Sequence, residues 1–452
     1  MSFSSDHRAM VLVSKPAMLQ EALAVCTFLE KVCPGSSTLV LAGELLEKSE
    51  NFALPEATNL VKDSLRPAIL AGNDFAYRIA RFGALRVLWT SWAISRRRRN
   101  AKSLIASLKP AALIIFEDRV IDPEMAWLDA AAQCGLPAVM VRYATSSVES
   151  DVWTRSGKTS YSLEQGAMAW ARRLFSNRHS RHAIAVGRHR YLFFSLWDSI
   201  ALHLFGMADT HPWIAGGGKV RASALQGKMD YDEAVEYCNL PDRFHVTGQP
   251  TWDAMATTCE RLREERSLSA ATENSPCVLV CALPQWGEHL QMNWPTHMAS
   301  IEQLFAILGA LECKVIISLH PKACREHYQA LAERHRCAIS PLQLSELLPG
   351  ADIFVASWSS TLRWAAMLGI TSINLDWANQ QYTVFSKLPT LLQSKIPADL
   401  EATLVPLTQD KALRENLGSR LQKESEEFGV MNGKAGQAIL SLAKSFIREK
   451  TS

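Results

Sequence analysis

The sequence predicts a two-domain α/β protein in which each domain carries a doubly wound parallel sheet. Three observations carry that prediction. The chain has 452 residues, more than one ordinary hydrophobic core organises. Short, wholly apolar runs alternate with segments of helix length, as expected for strands buried on both faces of a sheet. The alternation stops in a polar stretch and then starts again.

In the first half, Met10 to Val13 reads as a strand, Leu19 to Val32 as a helix and Thr38 to Ala42 as a second strand. Ala112 to Phe116 is a strongly apolar strand, followed by the helix Pro123 to Cys134 and the strand Ala138 to Val141. In the second half the strands are Cys277 to Ala282, Val315 to Leu319, Ile353 to Ala356 and Ser372 to Leu375. The helices between them are Ser300 to Leu311, Cys324 to His335 and Thr361 to Leu368. Apolar runs of strand length between helical segments indicate parallel pairing. The polar stretch from Glu260 to Pro276 marks the boundary. The expected organisation is therefore an N-terminal domain over 1–255, a linker over 256–276, a second domain over 277–408, and C-terminal helices over 409–452. Ligands of such sheets sit beyond the carboxyl ends of the strands, so a cleft between the domains is the default site.

Composition narrows the function. Apolar residues make up 48% and charged residues 21%, which excludes wholesale disorder. Forty-eight basic against 45 acidic side chains leave a net charge of +3, too small a surplus for nucleic acid to be the expected partner. The ten cysteines are scattered, with no C-x-x-C pair and no zinc-ligand spacing, as in a reducing cytosol. Met10 to Val13 is too short and too early for a signal peptide, and no apolar run approaches the roughly 20 residues of a membrane helix. The expectation is a cytoplasmic protein, with peripheral contact at the inner membrane left open. Two segments bear on that contact: the four arginines Arg96 to Arg99, read as a solvated helix face or as a contact with anionic lipid or polyphosphate, and Tyr191 to Met207, read as a core or inter-domain helix or as an interfacial one.

The residues with chemistry to offer stand at predicted strand ends. His320-Pro321 follows the strand Val315 to Leu319. The proline stops the strand, which should present the imidazole to a phosphate or leaving group; the alternative is a histidine that only caps the strand. Ser357-Trp358-Ser359-Ser360-Thr361 joins the next strand to its helix, and so many hydroxyls at a strand-to-helix turn suit an anion, although plain N-capping explains one of them. Gln285, Trp286 and His289 follow the first strand of this half and are candidate ligand contacts. Gly248 and Gln249, in Phe244 to Asp253, form a turn that is either a ligand contact or a hinge. In the first half, Glu117-Asp118-Arg119 ends a strand. Two carboxylates there can share a site and supply a general base, or simply pair with Arg119. Ala215-Gly216-Gly217-Gly218-Lys219 is a flexible loop whose backbone could approach a phosphate or sugar, or a plain mobile loop; it lacks the Ser or Thr of a P-loop.

Two Rossmann-like halves with terminal helices make the GT-B architecture, and the motifs resemble its families. Val246-Thr247-Gly248-Gln249-Pro250-Thr251-Trp252-Asp253 is similar to the inter-domain segment of the hydrolysing UDP-GlcNAc 2-epimerases. His320-Pro321 with Ser359-Ser360 resembles the His-Pro and Ser-Ser motifs of bacterial sialyltransferases, polysialyltransferases and glycerophosphate transferases. The resemblance implies that His320, Ser359 and Ser360 hold donor phosphates, with Thr361 of the same hydroxyl turn a further candidate from its position, and that Asp118 or Glu117 deprotonates the acceptor hydroxyl. The chain departs from the epimerases: no carboxylate follows Ser359-Ser360, and their acidic residue after the next N-domain strand falls at Arg142 or Tyr143. It departs from the sialyltransferases at Arg119, where they have glycine.

The expected activity is a metal-independent glycosyltransferase of surface polysaccharide or glycoconjugate synthesis. It would use a nucleotide-sugar donor as substrate, no cofactor, and a glycan or glycolipid acceptor. A hydrolysing nucleotide-sugar 2-epimerase shares the fold and the Gly248 turn. An inactive GT-B scaffold that binds glycan or a partner protein also suits a chain with 13 tryptophans.

Overall fold

A computed structural model describes residues 8–46, 53–63, 65, 83–143, 148–268, 276–289, 291–320, 323–380 and 385–449. The chain divides into two compact units, one running to Thr251 and resuming at Lys434, the other spanning Trp252–Gly433.

The N-terminal unit is built on a sheet of β1 (Ala9–Val13), β2 (Ser37–Leu41), β3 (Asn59–Lys62), β4 (Ala112–Ile115) and β5 (Ala138–Val141). A hairpin, β6 (Ala183–Val186) with β7 (His189–Leu192), lies outside that sheet, which β8 (Ala222–Leu225) and β9 (Phe244–Val246) complete. The order is β3-β2-β1-β4-β5-β8-β9, with every pairing parallel. The order reverses between β1 and β4, so their carboxyl ends flank the switch point. Val11, Val13, Leu39, Leu41 and Ile114 fill one face of the sheet, and Met10, Leu12, Val40, Leu113 and Ile115 the other. That is the alternation a strand buried on both faces requires. Arg97, inside the helix Gly83–Leu108, is buried between Asp63 at 2.6 Å and Asp122 at 2.7 Å.

The C-terminal unit repeats the plan with β10 (Val278–Ala282), β11 (Lys314–Ser318), β12 (Ala338–Ile339), β13 (Ile353–Ala356), β14 (Thr371–Leu375) and β15 (Leu392–Ser394). These run in the order β12-β11-β10-β13-β14-β15, again all parallel. Its switch point lies between β10 and β13.

Four features depart from the sequence reading. The stretch 256–276, expected as a linker, is helical as far as Leu268 in the helix Pro250–Leu268. Its buried positions Trp252, Met255, Ala256 and Cys259 recur at helical spacing, while charged residues cover the rest. The C-terminal helices do not stay together. Lys411–Glu424 packs on β14, whereas Ala435–Glu449 returns to the N-terminal unit and buries Ile439 and Leu440 beside Val25 and Leu29. The segment Tyr191 to Met207 is part strand and part helix: Ser195 caps Leu196–Leu204 by accepting the Asp198 N–H at 3.3 Å. The strand β15 follows β14, which therefore is not the last. Among the described residues no helix is long and apolar enough to cross a membrane.

Candidate functional site

The register of the C-terminal sheet levels its strand ends. Ala282 pairs with Ser318, Cys281 with Val355, and Ala356 with Asn374. His320, Gln285, the turn Ser357 to Thr361, and Asp376 therefore emerge along one carboxyl edge. β10 separates β11 from β13, so about 10 Å lies between the strands that carry His320 and the serine turn. His320 is exposed, and its carbonyl accepts the Ala323 N–H at 2.8 Å; Pro321 lies outside the described residues.

The turn after β13 is held rigidly. Trp358 takes a left-handed backbone, φ 47°, which a bulky side chain adopts only under constraint. Here the constraints are visible. Its N–H donates to Asn374 Oδ1 at 2.8 Å and its indole N–H to Asp376 Oδ1 at 2.9 Å, and its ring stacks on Phe385 with centroids 5.8 Å apart. Ser357 accepts the Trp286 indole N–H at 2.9 Å and donates to the Leu375 carbonyl at 2.8 Å. Ser359 Oγ lies 2.7 Å from the Thr361 hydroxyl and accepts the Thr361 N–H at 3.3 Å. Local capping thus accounts for Ser359 and Thr361. Ser360 stays exposed, and the Gln285 side chain is half-buried. The helix that follows, Thr361–Met367, is only seven residues long, so its dipole adds little.

Trp286 is a correction. At 1% exposure it offers no platform to a ligand. It stacks on Trp377, centroids 5.6 Å apart, and its contribution is to fix Ser357 from below.

At the carboxyl edge of the N-terminal sheet the two acidic neighbours part company. Glu117 accepts Arg119 Nε at 3.0 Å and the N–H groups of Asp118 and Arg119, each at 3.1 Å. Burial pushes its carboxyl up, but Arg119, the Lys15 charge and the Asp118 N–H together leave it below the usual carboxylate range. Asp118, 2% exposed, turns into the glycine loop. Both its oxygens take the Gly216 N–H at 3.1 Å, and Oδ2 takes the Gly218 N–H at 2.7 Å. A Cβ at Gly218 would lie 2.6 Å from Asp118 Oδ2, and Gly216 sits at φ 93°. The loop read as a possible phosphate cradle is therefore wrapped around a carboxylate. Burial and the neighbouring Glu117 charge raise Asp118 to about 6, against the pull of the Gly216 and Gly218 N–H groups. One of the two adjacent acids is thus raised, as a shared site requires, but its oxygens are engaged by the loop. Gln249 is likewise engaged, its amide donating to the Tyr143 carbonyl at 2.7 Å, and Gly248 makes its turn at φ 80°. Both belong to the N-terminal unit.

The group that sequence reading missed is Glu124. It follows β4 on the turn Ile121–Met125 and is 1% exposed. Ser14, directly after β1, donates its hydroxyl to Oε1, and Oε2 has no hydrogen-bond partner among the described residues. Burial raises the carboxyl to about 7, against the opposing pull of Ser14 and of the Lys15 charge. Lys15 also acts on Glu117, and both glutamates raise Tyr143, which is itself partly buried. Ser14, Lys15, Glu117, Glu124 and Tyr143 thus gather at the β1/β4 switch point, where an α/β sheet binds ligands. A raised, unpartnered carboxyl in such a place is suited to proton transfer. The only sequence signal for it was an acid at the start of the helix after β4. Among the described residues no three His, Cys, Asp or Glu side chains are placed to hold a metal ion.

No protein-family model and no curated protein sequence matches the chain. Solved structures do. One from Listeria monocytogenes, provisionally assigned as a UDP-N-acetylglucosamine 2-epimerase, has a TM-score of 0.56 at 14% identity over 98% of this chain and 97% of its own. The wall teichoic acid polymerase TagF, as its H548A variant, gives 0.54 at 12% identity over 99% and 91%. A UDP-GlcNAc 2-epimerase from Neisseria meningitidis, bound to UDP-GlcNAc, gives 0.52 at 13% over 97% and 100%. The fold is GT-B. The likeness spans at least 91% of each of these three chains and 97% of this one, so both units of this GT-B chain have counterparts.

Proposed function

We propose that this GT-B chain is a nucleotide-sugar-dependent glycosyltransferase that extends a surface polysaccharide or glycoconjugate, with its donor nucleotide on the Trp252–Gly433 unit. The observation that carries the reading is the level edge on which His320, Gln285 and Ser360 emerge from adjacent strands. A nucleoside diphosphate laid along that edge receives a hydrogen bond from the imidazole at one end and from the Ser360 hydroxyl at the other. Trp358, clamped by Asn374 and Asp376, holds the turn in the required shape before the ligand arrives, which spares ordering entropy. Donors fixed in advance around a departing phosphate stabilise the charge that develops there.

On the N-terminal unit, Glu124 takes the proton of the acceptor hydroxyl through Oε2, which has no hydrogen-bond partner among the described residues. Because Oε2 is buried, the acceptor must displace the side chains that cover it, while Glu117 stays ionised in its pair with Arg119. This replaces Asp118, whose oxygens are occupied by Gly216 and Gly218. The structural neighbours support a nucleotide-sugar ligand, since one is bound to UDP-GlcNAc. A transferase is favoured over a hydrolysing epimerase at the end of β5. The resemblance to the epimerases puts their carboxylate at Arg142 or Tyr143; here Arg142 is buried in an ion pair with Asp230, 3.2 Å away, and Tyr143 is no carboxylate.

The test is thermal-shift titration with CMP-, CDP-, UDP- and GDP-linked ligands, because a ligand that binds only the native state raises the melting point. His320→Ala and Ser360→Ala should each weaken the ligand that binds by roughly tenfold, the worth of one charge-assisted hydrogen bond. Unchanged affinity in both variants removes this site. Release of a C2-inverted sugar without any acceptor replaces transfer with epimerisation.

A further inference from the structure

The helix Gly83–Leu108 contains arginine and lysine but no aspartate or glutamate over its 26 residues. Its inward side explains part of that charge. Arg86 pairs with Asp198 at 2.8 Å, Arg97 with Asp63 and Asp122, and Arg98 with Asp129 at 2.7 Å, while Ala93, Ile94, Ala101 and Ile105 enter the core. The four-arginine run is therefore not one solvated face. Two of its members are neutralised inside, and Arg96 and Arg99 point the other way.

The outward side has a different composition. Leu85, Leu88, Trp92, Arg96 and Arg99 follow one another at steps of three and four residues and so form a single stripe. Leu88 is 66% exposed, Leu85 49% and Trp92 45%. The Arg96 guanidinium sits 5.2 Å from the centre of the Trp92 ring. The only hydrogen bond from Arg99 among the described residues is a long 3.5 Å contact with the Ser95 carbonyl in its own helix. At 1.5 Å per residue the stripe runs about 21 Å. It is apolar at its N-terminal end, carries an indole in the middle and is cationic at the other end, on a helix whose opposite face is locked into the unit.

We infer that this stripe docks the protein on an anionic phospholipid bilayer. Leucines and a tryptophan suit the boundary between headgroups and acyl chains, and arginines suit lipid phosphates. Charge complementarity selects an anionic surface, and the three large apolar side chains select a bilayer over a dissolved polyanion, which offers nothing apolar to cover them. The inference is independent of the catalytic reading, because none of the five residues takes part in it.

Co-sedimentation of the full chain with vesicles tests it. Binding is expected to vesicles of phosphatidylglycerol mixed with phosphatidylcholine, and not to phosphatidylcholine alone. Arg96→Gln with Arg99→Gln should lower the partition coefficient by about thirtyfold, the worth of two arginines at roughly 1 kcal/mol each. Leu88→Ser with Trp92→Ser should lower it by at least about tenfold. Leu85→Ser with Leu88→Ser serves as the second apolar variant if the first does not fold. All three double variants should keep the wild-type melting point in the absence of lipid. No binding to the anionic vesicles overturns the inference, and so does wild-type binding by both apolar variants. Loss in the arginine variant alone identifies a general polyanion surface and overturns the bilayer assignment as well.

Discussion

Replacing Glu124 with glutamine sets stability and activity moving in opposite directions with pH. Burial holds the Glu124 carboxyl at about 7 in the folded unit, against an ordinary value of 4.5. For a carboxyl raised in this way the folded state prefers the proton. Its contribution is fully present below the unfolded value and is lost as pH rises through the folded one. A rise of that size corresponds to about 3 kcal/mol at 1.36 kcal/mol per pH unit, and about 2.5 kcal/mol of it accrues between pH 5 and pH 8. Glutamine has the same shape, can accept the Ser14 hydroxyl through its amide oxygen, and does not titrate. Relative to the wild type, Glu124→Gln should therefore gain about 2.5 kcal/mol on going from pH 5 to pH 8. Chemical unfolding of both proteins at the two pH values measures this. Catalysis should behave in the reverse way. As a general base the carboxyl works only when ionised, so wild-type turnover should rise with pH through about 7. The variant should lose about a hundredfold to ten-thousandfold and show no such rise. Unfolding curves whose separation is the same at pH 5 and pH 8 would refute the buried, raised carboxyl. A wild-type pH–rate profile in the variant would refute its role as base.

Two further outcomes follow from the site. Asp118→Asn keeps the side-chain volume but offers one oxygen where two served the Gly216 and Gly218 N–H groups. It should cost about 2–4 kcal/mol in unfolding experiments and lower activity without moving the pH–rate midpoint; a variant as stable as the wild type would show that the loop does not depend on this carboxylate. Trp286→Phe removes the indole donor to Ser357 and should destabilise the C-terminal unit by about 1–3 kcal/mol. Its nucleotide binding should persist, since the ring is buried; a loss of nucleotide binding in a fully folded variant would return Trp286 to the ligand.

The contrast between these residues indicates how far sequence carries a functional reading. Glu117, Asp118 and Trp286 were singled out by position at a strand end, and position proved insufficient. Asp118 and Glu117 are adjacent, so their side chains leave the backbone in different directions: one meets the glycine loop nearly a hundred residues later, the other meets Arg119. Trp286 follows a strand, which makes it a candidate ligand contact, but the core of its unit extends past the strand end and buries it. Glu124 was passed over because nothing in its local sequence distinguishes it from the first-turn acid of any helix. Its partner Ser14 is 110 residues away.

What the sequence determined by itself is the architecture: two parallel sheets, the most apolar strands of each half with the helices between them, and the placing of His320 and Ser357 to Thr361 at strand ends. Those features follow from local periodicity and from the apolar content of buried strands, which are written along the chain. The shorter strands β3, β8, β9, β12 and β15 and the hairpin β6–β7 carry too little apolar pattern to be read. What only the tertiary structure decided is which end groups are occupied by the protein and which remain open. It also decided that Pro250–Leu268 is a packed helix, and that the last helix belongs with the first unit. Burial, carboxyl ionisation and hydrogen-bond partnership are set by neighbours distant in sequence, and no local pattern encodes them.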